Sequence, residues 1–206
     1  MPQKHNSNGQ RLRSARSRHR LIPGFLKSNQ AHALFLHLEK EIDWQPETLF
    51  LFGRKVETRR RSAYFSNDSL SYGYSGILHR PRRLLPEITE LMERLSMEMA
   101  YTFNSSLANY YPDGLAGLGW HRDDEPELGP SPSVATLSLG ATRRMDILHT
   151  ASGETQSMDL DSGTLLIMEA GFQEEWIHRI ARQPGVKAPR ISLSFRQIDP
   201  SSQIRA

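Results

Sequence analysis

NSSLANYYPDGLAGLGWHRDDE, residues 104–125, is the stretch around which the chain is read. It opens with a run of β-formers, Ser105 to Tyr111, passes a Pro-Asp-Gly turn, and closes on His121-Arg122-Asp123. In an extended chain, residues two apart point to one side. The imidazole of His121 and the carboxylate of Asp123 can therefore converge on one metal ion. A second imidazole would complete a two-His, one-carboxylate face with open positions opposite it, the ligand set of non-haem Fe(II) oxygenases. Alone, His-x-Asp is weak, and the downstream sequence has to decide.

Two histidines follow, His149 and His178. His149 precedes Thr150-Ala151-Ser152-Gly153, a turn, where a side chain is exposed. His178 lies in Glu175-Trp176-Ile177-His178-Arg179-Ile180, where apolar and polar residues alternate, so it is the expected third ligand. The last strand is the strongest single signal. In Arg190-Ile191-Ser192-Leu193-Ser194-Phe195-Arg196 the apolar residues face one packed layer, and Arg190, Ser192, Ser194 and Arg196 face the other. Inward arginines are costly unless anions meet them. A dicarboxylate with one acid at each end would satisfy both. Asn109 and Tyr111 form another pair two residues apart, placed to add polar contacts.

Outward from this core, short β-like runs recur at 104–111, 133–140, 143–149, 163–168 and 189–196. Gly, Pro, Asp and Ser turns separate them, which predicts a sandwich, jelly roll or barrel. Before residue 104 the reading is different. Residues 21–26 read as a short bent strand and residues 29–42 as a helix with Ser28 as N-cap. Residues 49–53 read as a strand ending at a turn, and residues 86–100 as a second helix with Pro86 in its first turn. The fold class is mainly β with flanking helices. The expected organisation is a basic, disordered tail at 1–20 and one domain at 21–200. Within that domain, 21–103 carries the helices and 104–198 the β core.

The chain has 206 residues, 37% of them hydrophobic, and no cysteine. One domain can bury a full core at this length. Disulfides and thiolate zinc sites are excluded. No apolar run is long enough to span a membrane, and the N-terminus lacks a secretory core, so the protein is expected not to be exported. Charge is unevenly placed. Lys4, Arg11, Arg13, Arg16, Arg18 and Arg20 occupy the first twenty residues without an acid; the chain as a whole is +3, and without these six bases it would be −3. Between residues 51 and 83, Arg54, Lys55, Arg59, Arg60, Arg61, Arg80, Arg82 and Arg83 face only Glu57 and Asp68. Phe52, Tyr64, Phe65, Tyr72 and Tyr74 are interleaved with them. Guanidinium groups neutralise phosphates and aromatic faces stack on bases, so this band reads as a nucleic-acid surface. A solvated face with core aromatics is the plain alternative.

The combination of Asn109-x-Tyr111, His121-x-Asp123, His178 and Arg190-x5-Arg196 resembles the AlkB family of Fe(II)- and 2-oxoglutarate-dependent dioxygenases over most of residues 20–198. His121-Arg122-Asp123-Asp124-Glu125 and Leu70-Ser71-Tyr72-Gly73-Tyr74-Ser75-Gly76 are most similar to the branch that repairs double-stranded DNA. The resemblance implies a double-stranded β-helix, or jelly roll, with an N-terminal nucleotide-recognition lid. It implies Fe(II) on His121, Asp123 and His178, with 2-oxoglutarate and O2 as co-substrates. Arg190 would grip the far carboxylate, with Asn109, Tyr111, Ser192, Ser194 and Arg196 around it. At Ser192 and Ser194 the chain departs from the family, which often has Asn and Thr there. The implied substrate is alkylated DNA, possibly RNA, carrying 1-methyladenine or 3-methylcytosine. Asp124 would offer a carboxylate to the cationic base, Tyr74 a stacking face and Tyr72 a hydroxyl. Phe52, with Gly53 and Arg54 beside it and Gly73 next to Tyr72, would fill the vacated stack. A monomer is expected, located at the nucleoid in a bacterium or the nucleus in a eukaryote. Competing readings are an enzyme of this type acting on RNA or protein, a metal-dependent hydrolase, and a non-enzymatic nucleic-acid-binding module. A hydrolase leaves Arg190 and Arg196 unexplained, and a binding module leaves the metal residues unexplained.

Overall fold

The structure, a computed structural model, describes residues 18–51, 54–67, 70–74 and 77–202. Eight strands make the core: β6 (Ser105–Tyr111), β7 (Leu118–His121), β8 (Val134–Gly140), β9 (Arg143–His149), β10 (Thr155–Leu160), β11 (Leu165–Met168), β12 (Trp176–Ile180) and β13 (Arg190–Arg196). They divide between two antiparallel sheets. β11, β8, β13 and β6 lie side by side in one, and β10, β9, β12 and β7 in the other. Successive strands mostly switch sheets, which is the winding of a jelly roll, as the spacing of turns predicts. The sequence reading did not pick out β10, a strand of alternating exposure with no apolar run to mark it.

The larger sheet is extended by strands from the first half of the chain. β1 (His19–Ile22) pairs with β11. β3 (Arg54–Ser66) pairs with the free edge of β6, and β2 (Gln45–Leu51) pairs with β3, giving seven strands in all. Residue 104 is therefore not a structural boundary, because an uncovered β6 edge would leave a row of backbone groups unpaired. The first strand also begins two residues before Leu21. Arg18 and Arg20 pair with Glu175 and Glu169, so both belong to the fold and not to the tail; residues 1–17 lie outside the described residues. β4 (Tyr72–Tyr74) and β5 (Ile77–His79) form a separate small ribbon.

Helices α1 (Ser28–Glu41) and α2 (Pro86–Met99) cover the outer face of the larger sheet. Ala31, Phe35 and Leu38 of α1 and Ile88, Leu91, Met92 and Leu95 of α2 meet Ala108, Leu137, Leu139, Ile191, Leu193 and Phe195 in one apolar layer. Each of the larger of these side chains contributes about 1.5–3 kcal/mol by leaving water. Lys27, not Ser28, is the N-cap; the Gln30 side chain accepts its backbone N–H at 3.2 Å, and Ser28 is already helical. A second layer, with Val134, Met145, Ile147, Leu166, Met168, Phe172 and Trp176, fills the space between the sheets. No helix among the described residues is long and apolar enough to cross a membrane.

Candidate metal and co-substrate site

β12 pairs with β7 so that His178 stands directly opposite His121. Their ring centroids are 4.1 Å apart. Asp123 lies just past the end of β7, with Oδ1 4.0 Å from Nε2 of His121. Among the described residues, these three side chains form a group whose ligand atoms lie within 4.8 Å of one another. The donor set fits Fe(II). Nδ1 of His121 is hydrogen-bonded at 2.8 Å to the Gly119 carbonyl, which can only accept, so this nitrogen carries the proton and Nε2 keeps its lone pair. Burial pushes the His178 pKa down to about 3, helped by His121, so its imidazole is neutral as a ligand must be. For Asp123, burial pushes the carboxyl pKa up, but Arg196 and the two histidines outweigh it, leaving about 2. His149 sits outside this group, against Ser152 and the Trp176 ring, as expected of a turn residue.

The same cavity is lined by Asn109, Tyr111, Arg190, Ser192, Ser194 and Arg196, all of them singled out in the sequence, together with the three metal candidates. The register accounts for it: β13 lies between β8 and β6, with Arg190 opposite Tyr111 and Ser192 opposite Asn109. Arg190 is 1% exposed. Its Nη2 donates to Ser138 Oγ at 2.7 Å, while Nε and Nη1 are buried without a partner. Buried donors of a cation left in this state require an anion. A carboxylate of 2-oxoglutarate fits that edge of the guanidinium. Burial, with a smaller contribution from Arg143, lowers the Arg190 pKa to about 10 against the opposing effect of Tyr111, still far above neutrality.

Arg196 already has a protein partner: its Nη2 lies 3.0 Å from Oδ1 of Asp123, while its Nε is buried without one and the residue lines the same cavity. Burial opposes the charge, but Asp123, Tyr72 and Glu125 overcome it and raise the Arg196 pKa. The pair keeps Asp123 ionised and restrains its carboxylate. Asn109 is likewise partly engaged, since Oδ1 accepts from buried Arg60, which also pairs with buried Glu47 on β2. The amide nitrogen of Asn109 remains as a donor for an anion.

The substrate-side expectations change most. Asp124 is exposed, and neither it nor Glu125 lines the cavity. Glu125 is the half-buried one of the two carboxylates. Burial, and then Asp123, raise its pKa to about 7. Tyr72 is completely buried, and its hydroxyl donates to Glu125 Oε2 at 2.7 Å rather than facing a ligand. Tyr64 and the Arg196 guanidinium pack on the Tyr72 ring. The Gly73 N–H donates to Glu127 Oε1 at 3.1 Å, and Arg54 is exposed. Phe52, Gly53 and the side chain of Tyr74 lie outside the described residues.

Ser138 and Thr136, which meets Ser194 Oγ at 3.1 Å, were missed in the sequence. Their polar alternation in Val134–Gly140 was the available signal. Glu125 and the Glu47–Arg60 pair carry no such pattern.

Residues 18–196 match the family model described as the 2OG-Fe(II) oxygenase superfamily. The chain is 34% identical over 190 residues to alpha-ketoglutarate-dependent dioxygenase alkB homolog 3 of Mus musculus, covering 87% of this chain and 66% of that protein. It thus spans slightly under two thirds of that relative's length. It is 33% identical over 180 residues to DNA oxidative demethylase ALKBH2 of Homo sapiens, covering 82% of this chain and 69% of that protein. Among solved structures, that of OsALKBH1 superposes with a TM-score of 0.61 at 18% identity, covering 90% of this chain and all of the other, a likeness of fold.

Proposed function

The chain belongs to the 2OG-Fe(II) oxygenase superfamily, and from that premise we propose that it is an AlkB-type dioxygenase that demethylates N-alkylated bases in DNA. The observation that carries the reading is the single cavity with the metal residues at one part of its wall and the unsatisfied edge of Arg190 at another. A hydrolase needs no such second anchor. Names of the relatives point to oxidative demethylation of DNA.

His121, Asp123 and His178 hold Fe(II), and Arg190, with Tyr111 and Asn109, holds the far end of 2-oxoglutarate. When bound, Fe(II) supplies the oxidising power, drawing on O2 and the oxidative decarboxylation of 2-oxoglutarate to succinate and CO2. One oxygen atom enters a C–H bond of a methyl group on a ring nitrogen. The resulting hydroxymethyl adduct breaks its C–N bond, the electron pair returns to nitrogen, the hydroxyl proton leaves, and formaldehyde departs. Bases such as 1-methyladenine and 3-methylcytosine are cationic and cannot pair normally, so turning them out of the helix is cheap. Glu125, which accepts the Tyr72 hydroxyl and interacts electrostatically with Asp123, is the proposed carboxylate for that cation. Exposed Arg54, Lys55, Arg59 and Arg61 on β3 take the phosphates. Phe52 is the proposed wedge in duplex DNA, and the protein acts as a monomer where DNA is kept, in the nucleoid or nucleus.

The test is an aerobic assay with Fe(II), 2-oxoglutarate and 1-methyladenine oligonucleotides, as single- and double-stranded DNA and as RNA. Formaldehyde and succinate should appear together with a DNA substrate. Turnover confined to RNA would reassign the substrate, and no formaldehyde from any oligonucleotide would sink the demethylase reading.

A further inference from the structure

Asp123 is a ligand candidate that no strand holds. β7 ends at His121, and Asp123 follows in irregular chain. Its backbone N–H is buried and needs an acceptor. That acceptor is Oε1 of Gln173, 3.1 Å away across fifty residues of sequence. Gln173 is 1% exposed, and its Nε2 turns to Met168 Sδ at 3.7 Å. The backbone donor fixes which end of the amide faces Asp123.

Gln173 belongs to α3 (Phe172–Glu175), a single turn entered from Gly171 at φ +85. A Cβ at Gly171 would come within 3.0 Å of the Arg18 side chain, so Arg18, just ahead of β1, closes tightly over this turn. The neighbouring Phe172 ring lies 6.2 Å from the His178 ring and stacks on Trp176. One turn thus braces two of the three metal residues: Phe172 packs by His178, and Gln173 holds Asp123. The restraint has a purpose set by Arg196. A guanidinium 3.0 Å from Oδ1 pulls the carboxylate towards itself, and an unfixed backbone would let it follow and turn from the imidazoles.

We infer that Gln173 is a positioning residue for the iron ligand Asp123, acting through the backbone N–H. The inference rests on the reading of His121, Asp123 and His178 as the metal site. Partners that orient a ligand without touching the metal typically change its affinity 10- to 100-fold.

Co(II), followed by its visible absorption, is the probe, titrated into metal-free protein without 2-oxoglutarate. Gln173→Met keeps the size and removes the acceptor; its Co(II) affinity should fall about 10- to 100-fold. Gln173→Glu restores an oxygen acceptor and should recover part of the loss. Melting of the metal-free forms separates this from general damage. Should Gln173→Met fail to fold, Gln173→Asn, with the acceptor withdrawn by one methylene, takes its place with the same expectation. Cobalt binding within twofold of wild type in the acceptor-lacking variant overturns the inference, as does a Gln173→Glu variant no better than Gln173→Met. Asp123→Ala binding Co(II) like wild type would bring down the metal site itself, a different failure.

Discussion

At the scale of single residues, the site separates groups that must meet a ligand from groups already satisfied. His178 and His149 make the contrast. His178→Ala should abolish turnover and Fe(II) binding, whereas His149→Ala, which gives up only Ser152 and a ring neighbour, should keep both. Equal losses in the two variants, read by calorimetric metal titration, would contradict the geometry. Arg190 is the other decisive residue. Removing two charge-assisted hydrogen bonds should raise the KM for 2-oxoglutarate about 100- to 10,000-fold in Arg190→Ala. Arg190→Lys should recover little, because a point charge cannot reproduce the planar fork or reach Ser138 at the same time. Unchanged 2-oxoglutarate binding in Arg190→Ala would remove it from the pocket.

Elements matter here through what they carry to the site. The β2–β3 pair carries exposed cations and a buried ion pair. Arg54→Glu combined with Arg61→Glu should weaken DNA binding at low salt. It should also reduce the slope of log Kd against log salt by about one unit for each phosphate no longer neutralised. A slope equal to wild type would show that these cations meet no phosphate. In that ion pair, Glu47 is 5% exposed and Arg60 3%. Glu47→Ala leaves a buried guanidinium with only part of its partners, and should cost about 3–5 kcal/mol in denaturant unfolding. Because Arg60 also holds Asn109, the same variant should lose 2-oxoglutarate affinity. Full stability in Glu47→Ala would mean that Arg60 finds another anion or water.

For the whole molecule, the unsatisfied groups at Arg190 and the metal triad couple folding to ligation. Anything that binds only the folded state stabilises it by RT ln(1 + [L]/Kd), about 2.7 kcal/mol at a hundredfold excess over Kd. Metal and 2-oxoglutarate together should therefore raise the melting temperature by several degrees, and a chelator should reverse the gain. The same additions should leave Asp123→Ala unmoved. An increase that survives in Asp123→Ala would place the binding elsewhere.

The sequence by itself determined the strand β13, the ligand triplet and the helices. Each of these is written as a period: alternate residues in 190–196, His-x-Asp at 121–123, and apolar positions three and four apart in α2. Periodicity fixes which side chains share a face, and that was enough to bring Asn109, Tyr111, Arg190, Ser192, Ser194 and Arg196 to one cavity. It does not fix which partner a charged side chain takes. Only the tertiary structure decided that Arg196 pairs with Asp123, and that Glu125 is half-buried while Asp124 is exposed. It also decided that Tyr72 commits its hydroxyl to Glu125, that β3 completes the edge of β6, and that Gln173 reaches Asp123. Those outcomes depend on distances between segments far apart in the chain, and hydrogen bonds and ion pairs act over a few ångströms with no memory of sequence separation.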